Sequence, residues 1–588
     1  MFKAVSNDRF PLPRKARLHA MAAPMAVAAC LAAPMAAAQG IAPPDADTIA
    51  ERMATLGSDV PGSIWAMQPF MNSEELVAED GTTYRLSSMN PYVNAWFVLE
   101  VAPQGGSSRY YHLENADRDE WQISLVEDGG APAIRVLGTG DEDGEEILCA
   151  PWEDNGLQEA RDTGLPFAPL CEWSVFLRNP VTGNRTTREA VAEFLRDNVL
   201  FGDSIVNLIK GTFFEDAFMV SSEGLEVEEE VDGVALLGEA LLDRAPVMRP
   251  YMGFDLVGAE DGMQAGSWYE VDGADGIYAS VMQPGMIANE VFQVPGANRL
   301  DGVESRADVY LVAFDMGEFT LGYEPGTDHP RLGWSSRPSH RHYQGRGPDG
   351  FDSPDPLVRT GTLNPTYAES VAAIFTGGFK RDHGAWRFGD YATFNYGHHY
   401  GFMVDGVILS RLWENLATMY MTHDGEVVMR TWTEEDNSAE FLSTLQFARQ
   451  NGVAIIEDGV PGARVTSWGG GNWSGSANAD LRTLRAGACT RTVEGRQFLI
   501  YAYFSTATPS GMARTFQAYQ CDYAMLLDMN SQEHTYMALY QREEEELEAQ
   551  HLVTGMAEVD VRGSDGGRIP RFVSAPDNRD FFYLIRRE

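Results

Sequence analysis

The stretch Tyr523-Ala524-Met525-Leu526-Leu527-Asp528-Met529-Asn530-Ser531-Gln532-Glu533-His534 constrains this chain most. An apolar run ends abruptly in an acid, and polar side chains follow. A buried strand that delivers a carboxylate to the rim of a sheet has this pattern. Just upstream, Thr508 suits a helix N-cap and Pro509 the first helical position. Met512, Phe516 and Tyr519 then recur at helical spacing. The expected unit is a capped helix feeding a strand that ends in Asp528. The alternative reading makes Asp528 a turn cap.

The chain has 588 residues, which predicts more than one domain. With 44 Lys+Arg against 86 Asp+Glu, its formal net charge is −42. Such a surface repels nucleic acid and anionic membranes, so neither is an expected partner. An anionic substrate would need a local basic pocket.

Arg14, Lys15 and Arg17 precede a stretch rich in Ala, Met, Val and Leu, and Ala36-Ala37-Ala38 fits a small-residue cleavage site before Gln39. Residues 1–38 therefore read as a signal peptide, and the mature protein as periplasmic or secreted. Val27-Ala28-Ala29-Cys30 offers a lipoprotein cleavage box as the alternative. No later stretch is long enough to span a bilayer. Cys149, Cys171, Cys489 and Cys521 remain after cleavage. Two sequence-local pairs, Cys149–Cys171 and Cys489–Cys521, are the expected disulfides, each contributing roughly 3 kcal/mol. Free thiols are the alternative, and no CxxC spacing points to a metal.

Alternating segments such as Ala95–Val101 and Ala133–Leu137 predict a β-rich start to a module spanning 45–255. Its later part reads as helical. Thr186 and Glu189 form a capping box, Val191, Phe194, Leu195 and Val199 line one face, and Ile205 to Ile209 continue the pattern. The acidic run at 226–230 reads as a solvated boundary.

A second domain is expected at 265–545, with 546–588 as a C-terminal extension. Val309–Phe314 reads as a strand. Thr366 and Glu369 suggest a capped helix leading into Ser370–Ile374, and Phe441, Leu442, Leu445 and Ala448 a further helix. The fold class expected is α/β (α+β), a mixed-sheet domain behind the β-rich and helical module.

Several short patterns follow one another in the second domain. They are Thr376-Gly377-Gly378-Phe379, then Gly401 to Asp405-Gly406, and His423-Asp424-Gly425. Next come Arg449-Gln450-Asn451 with Glu457-Asp458-Gly459, Arg485-Ala486-Gly487, and the helix that leads to Leu527-Asp528. Each is weak alone, because Asp-Gly is a common hairpin turn. Together they resemble the phosphodiester glycosidase family, whose best-known member uncovers mannose 6-phosphate tags by removing N-acetylglucosamine from a phosphodiester. The resemblance covers roughly 265–545. It implies an exported hydrolase acting on a sugar linkage of an envelope or exopolysaccharide glycan, including a sugar-1-phosphodiester, with carbohydrate or glycan phosphate as the substrate.

The resemblance makes Asp528 the catalytic carboxylate, with Glu457 or Asp405 as the second. Arg485 becomes a phosphate clamp, with Thr376, Gly377 and Gly378 beside the substrate. This chain departs from the family pattern at two points. Thr376 stands where the family has Asn, and Met529-Asn530-Ser531 replaces glycines whose N–H groups would approach a phosphate. Asn530, Ser531 and His534 are the side-chain donors that remain. The alternative is a non-catalytic glycan-binding or envelope-assembly protein on the same fold. For Asp405, Asp424 and Asp458 the structural alternative is a turn residue, and for Arg485 an ion pair.

A departing phosphate monoester has a second pKa near ~6. Such a reaction needs a carboxylate and cations more than a strong general acid. Nine of the eleven histidines lie between His329 and His551, which raises a metal reading for His340 and His342, and for His398 and His399. Adjacent strand residues such as His398 and His399 face opposite ways, whereas His340 and His342 would share a face. No acidic ligand set accompanies either pair, so no metal or cofactor is expected, with metal-dependent hydrolysis through His340 and His342 as a third reading. The loop Trp468 to Trp473 suits stacking on a sugar or an ordinary surface loop.

Overall fold

The structure is a computed structural model that describes residues 40–56, 62–140, 145–187, 189–191, 216–225, 233–330, 351–380, 401–466, 481–543, 546–563 and 566–587. The signal segment lies outside the described residues. So do the paired histidines at 340, 342, 398 and 399, the tryptophan loop at 468–473, the acidic run at 226–230, and most of the helical face after Val191.

The protein is mixed α+β, with antiparallel sheets dominating and few helices. Residues 40–588 form one compact unit. The β-rich start is a six-stranded antiparallel sheet, Asn72–Val77 to Val175–Arg178, with a three-stranded sheet formed by Trp121–Asp128, Ala131–Gly138 and Glu146–Cys149. Leu86, Leu99, Leu113, Ile123, Ile134 and Val136 share one core between them. Alternation of apolar and polar residues places these side chains inward.

An eight-stranded sheet runs in the order Tyr269–Glu270, Ile277–Met282, Val309–Asp315, Arg496–Ala507, Thr483–Val493, Tyr523–Met529, Ala454–Glu457, Val460–Pro461. All its ladders are antiparallel. The helix Pro509–Ala518 feeds the strand Tyr523–Met529 as expected, and Thr508 caps it by accepting from the Gly511 N–H at 3.1 Å. The unit is not a parallel crossover, because both neighbours of that strand run against it.

Two five-stranded sheets complete the core. One contains Phe319–Glu324, Phe581–Arg586, Val371–Thr376, Met537–Glu543 and Glu546–His551, in that order. The other runs Val407–Ser410, Phe402–Val404, Leu445–Gln450, Ala417–Thr422, Val427–Thr431. The stretch 546–588 thus supplies a strand inside a sheet.

Two expected helices are strands. Val371–Thr376 is buried at every position, as is Leu445–Gln450. A strand covered on both faces reads as a continuous apolar run, which periodicity alone does not separate from a helix. The Thr366 turn is a single 3-10 turn over Pro365–Tyr367, capped by Asn364. The helix around Phe441 ends at Leu442.

Both expected disulfides form, Cys149–Cys171 and Cys489–Cys521. They suit an exported protein. Among the described residues no helix is long and apolar enough to cross a membrane.

Candidate functional site

Strand ends from the eight-stranded sheet and both five-stranded sheets meet around Asp528. Between Thr483–Val493 and Tyr523–Met529 the register slips: Gly487 faces Leu526, but Arg485 faces Met529. One residue, Ala486, therefore opposes two, Leu527 and Asp528, which is a β-bulge. Asn451 braces it, donating from one amide to the Leu526 and Leu527 carbonyls at 2.8 Å each. The bulge turns Asp528 to the face opposite Arg485.

Arg485 lies on the side of the Pro509–Ala518 helix. Its guanidinium donates to the Ala507 carbonyl at 2.8 Å and the Leu481 carbonyl at 3.1 Å, and lies 3.0 Å from the Met529 sulfur. Burial pushes its pKa down to about 10, with Glu304 opposing.

The cation at Asp528 is instead Arg579. One terminal nitrogen donates to Asp528. The other donates to Glu189 Oε1 at 2.8 Å and faces His534 Nε2 at 2.8 Å. His534 Nδ1 lies 2.8 Å from the Met529 carbonyl, so the ring carries its hydrogen there and Nε2 accepts from Arg579. Lys380 donates to Glu189 at 2.9 Å and to Asp328 at 3.2 Å. Asp528, Glu189, Lys380 and Arg579 are all buried. Burial would lift the Glu189 pKa, but Arg579 and Lys380 outweigh it and hold the carboxyl far below its ordinary range.

Glu189, Glu533 and His534 bring their ligand atoms within 4.8 Å of one another, close enough to share a cation. The Arg579 guanidinium already binds two of the three, so the positive charge at this spot is built into the chain.

A second buried knot adjoins the first. Asp580 accepts from Arg449 at 2.6 Å and Tyr323 at 2.7 Å, and its other oxygen faces His329 at 3.2 Å. The Gly377 N–H donates to the Asp580 carbonyl at 2.9 Å, the Gly378 N–H to its side chain at 3.3 Å, and the Phe379 N–H to Asn451 at 3.0 Å. A Cβ on Gly377 would lie 2.6 Å from Asp580, and one on Gly378 2.5 Å from Asn451. Only glycine lets these polar groups pack so closely. Thr376 donates to the His534 carbonyl at 2.6 Å, tying this loop to the Asp528 turn.

Asn530 holds φ +82° and its N–H donates to the Leu484 carbonyl at 2.8 Å. Asparagine is among the few residues that accept this conformation. The Ser531 carbonyl accepts from the His534 N–H at 3.1 Å, and its hydroxyl is buried.

The other two carboxylates lie elsewhere. Glu457 accepts from Thr431 at 2.5 Å and lies by register beside Tyr523. Five residues of strand separate it from Asp528, roughly 15 Å, beyond the ~5–9.5 Å of paired glycosidase carboxylates. Asp405 occupies a hairpin turn at φ +45° with Gly406 at +74°, and pairs with Arg118 at 2.6 Å. Asp458 and Gly459 repeat that turn at +52° and +73°.

Sequence reading missed Arg579, Glu189, Lys380 and Asp580 as site residues. Two signals were present. Asp577-Asn578-Arg579-Asp580 borders the apolar run from Phe581, the mirror image of the Asp528 pattern. The Glu189 of the capping box does not return to its own helix: the Thr186 hydroxyl accepts from the Glu189 N–H at 3.2 Å, while the carboxylate leaves for Lys380 and Arg579.

No protein-family model matches this chain, and no curated protein does.

Proposed function

We propose that this chain is an exported glycosidase-like hydrolase acting on a sugar linkage in an envelope or extracellular glycan, with a sugar-1-phosphodiester as the linkage it suits best. The observation that supports this reading is the convergence of Asp528, Glu189 and His534 on Arg579, with Lys380 alongside. Glu189 stays ionised beside two cations and is therefore no proton donor. A phosphate monoester leaves without a proton, provided that cations meet its oxygens. Arg579 and Lys380 are those cations. Asp528 serves as the base or nucleophile once substrate oxygens replace it on Arg579.

One observation favours a second reading, a non-catalytic glycan-binding or envelope-assembly protein. The N–H groups of residues 377–379 donate to Asp580 and Asn451, so this loop does not offer them to a ligand.

The test is hydrolysis of a panel of sugar-1-phosphodiesters and nitrophenyl glycosides by the mature protein, beside Asp528→Asn and Glu189→Gln. Turnover that Asp528→Asn abolishes in a folded protein supports the hydrolase. Absence of turnover on every substrate, with glycan retained in a pull-down, selects the binding protein.

A further inference from the structure

The two disulfides differ in what surrounds them. Cys489 and Cys521 are 0% and 1% exposed, out of reach of a thiol in solution. Cys149 and Cys171 are half-buried. Cys149 ends the strand Glu146–Cys149 of the three-stranded sheet, and Cys171 follows the strand Phe167–Leu170 at the edge of the six-stranded one. Their bond ties the two sheets of the N-terminal module together. It also closes the segment that holds the helix Gly156–Asp162.

That segment carries much of the left-handed backbone of the chain. Among the described residues fourteen non-glycine residues hold a positive φ, and five of them lie between 154 and 173. Asp154 and Asn155, at +48° and +63°, are residue types that tolerate it. Cys171, Glu172 and Trp173, at +45°, +57° and +75°, are not. Their Cβ atoms crowd the following carbonyls, and three such residues in a row persist only where the surroundings fix them. Within two residues of the inner pair only Gln520 has a positive φ, at +56°.

The strained turn is fixed at both ends. Cys171 is bonded to Cys149. The Ser174 N–H donates to the Cys171 carbonyl at 3.1 Å, and the Ser174 carbonyl accepts from the Ala116 N–H at 3.0 Å. Opening the bond releases the first of these ends and lets Cys171 leave the left-handed region, so the backbone strain favours the open form.

We infer that Cys149–Cys171 is a redox-sensitive latch on the N-terminal module, opened by an external dithiol while Cys489–Cys521 stays closed. A thiolate of the dithiol attacks one sulfur of the pair, forms a mixed disulfide and releases the other cysteine as a thiolate, which takes up a proton. The second thiolate of the dithiol then attacks its own sulfur in the mixed disulfide and releases the remaining cysteine, which is protonated in turn. Two electrons and two protons pass to the chain, and the donor leaves as a disulfide. The segment 150–174 then relaxes away from the three-stranded sheet, and the rest of the fold is kept.

The test is equilibration of the mature protein in buffers of reduced and oxidised dithiothreitol, followed by alkylation and mass mapping of each cysteine. Cys149 and Cys171 should open at a ratio of reduced to oxidised reagent about tenfold or more below that for Cys489 and Cys521, a gap of about 30 mV. In the half-opened protein the amides of 150–174 should exchange about tenfold or more faster than in the oxidised parent, with those of the helix Pro509–Ala518 unchanged. Glu172→Gly removes one side chain from the left-handed run, so its latch should need a ratio roughly threefold higher to open. Two pairs that open together overturn the inference, as do amides at 150–174 that exchange alike in both forms. A latch in Glu172→Gly that opens at the parent's ratio also counts against it. If that variant does not fold, the two measurements on the parent decide the matter.

Discussion

Arg178 and Arg579 are both buried and each is gripped by two carboxylates, yet the two clusters reach neutrality by different routes. Arg178 pairs with Glu114 and with Glu324, the latter at 2.5 Å, and donates to the Val358 carbonyl at 3.1 Å. Asn364 donates to Glu114 at 2.5 Å and Thr360 to Glu324 at 3.2 Å. One cation against two anions leaves +1 − 2 = −1. Burial then pushes both carboxyls up, against the pull of Arg178, with Glu324 reaching about 8. The cluster balances itself with a proton. Around Arg579 the balance comes from Lys380 and Arg185, so that three cations meet Asp528, Glu189 and Asp328 and +3 − 3 = 0. No proton is needed, and Glu189 stays ionised. The first arrangement joins the N-terminal sheet to the strand Phe319–Glu324. The second holds ionised groups together at a strand end, where the proposed chemistry needs them.

The sharpest way to break this comparison is to remove the arginines. Arg178→Met strands two buried carboxylates and should cost about 3–5 kcal/mol, measured by urea unfolding. Adding Glu114→Gln and Glu324→Gln should restore much of it. An unchanged midpoint in Arg178→Met would show that the cluster is not a structural joint. Arg579→Lys keeps the charge and loses the planar fork that spans Asp528 and Glu189. Hydrolysis should fall by about 100-fold or more, with less lost in stability than for Arg178→Met. Equal stability losses at the two sites would erase the distinction.

Much of the scaffold was legible in the sequence. The Thr508 cap, the apolar run to Asp528 and the strand Val309–Asp315 follow from local pattern, because each rests on residues a few positions apart, and the cysteine pairing follows from chain order, with partners 22 and 32 residues apart. The Asp528 partner was not legible. Alternation along Tyr523–Met529 places Asp528 on the face of Leu526, and a one-residue bulge reverses that. A bulge is set by the neighbouring strand and by Asn451, 75 residues from Leu526, so no local spacing encodes it. Arg579 is hidden for the same reason. It is 51 residues from Asp528 and 390 from Glu189, and its sequence looks like a polar tail before a last strand. Strands such as Val371–Thr376, buried on both faces, lose their period and read as helix.

Titration should separate the clusters in opposite directions. The Glu324 carboxyl has a folded pKa raised from 4.5 to about 8 by burial. Its contribution is fully present below its unfolded pKa and is lost as pH rises towards 8. Glu189 is lowered, so its contribution is present above 4.5 and is lost as pH falls. Each limb has a slope of at most about 1.4 kcal/mol per pH unit per proton. Glu324→Gln should flatten the alkaline limb of a Tm–pH profile between pH 5 and 8, and Glu189→Gln the acid limb below pH 4.5. Variants that flatten the same limb would mean that the clusters share one electrostatic design.

The smallest effect belongs to Asn530, which separates the backbone of the site from its chemistry. The residue holds φ +82° with its N–H on the Leu484 carbonyl, and its side chain accepts from Thr483 at 3.2 Å. Glycine adopts that φ without strain, so Asn530→Gly gives up one neutral hydrogen bond and gains backbone ease. These terms are each about 0.5–1 kcal/mol and oppose one another. The urea midpoint should hardly move. Asn530→Val keeps a side chain but forces a β-branched residue into the left-handed region, and should cost about 1–2 kcal/mol. If valine is tolerated as well as glycine, the turn after Asp528 is not fixed by its backbone. The position of His534, and through it the second contact of Arg579, must then be set by the Thr376 loop instead.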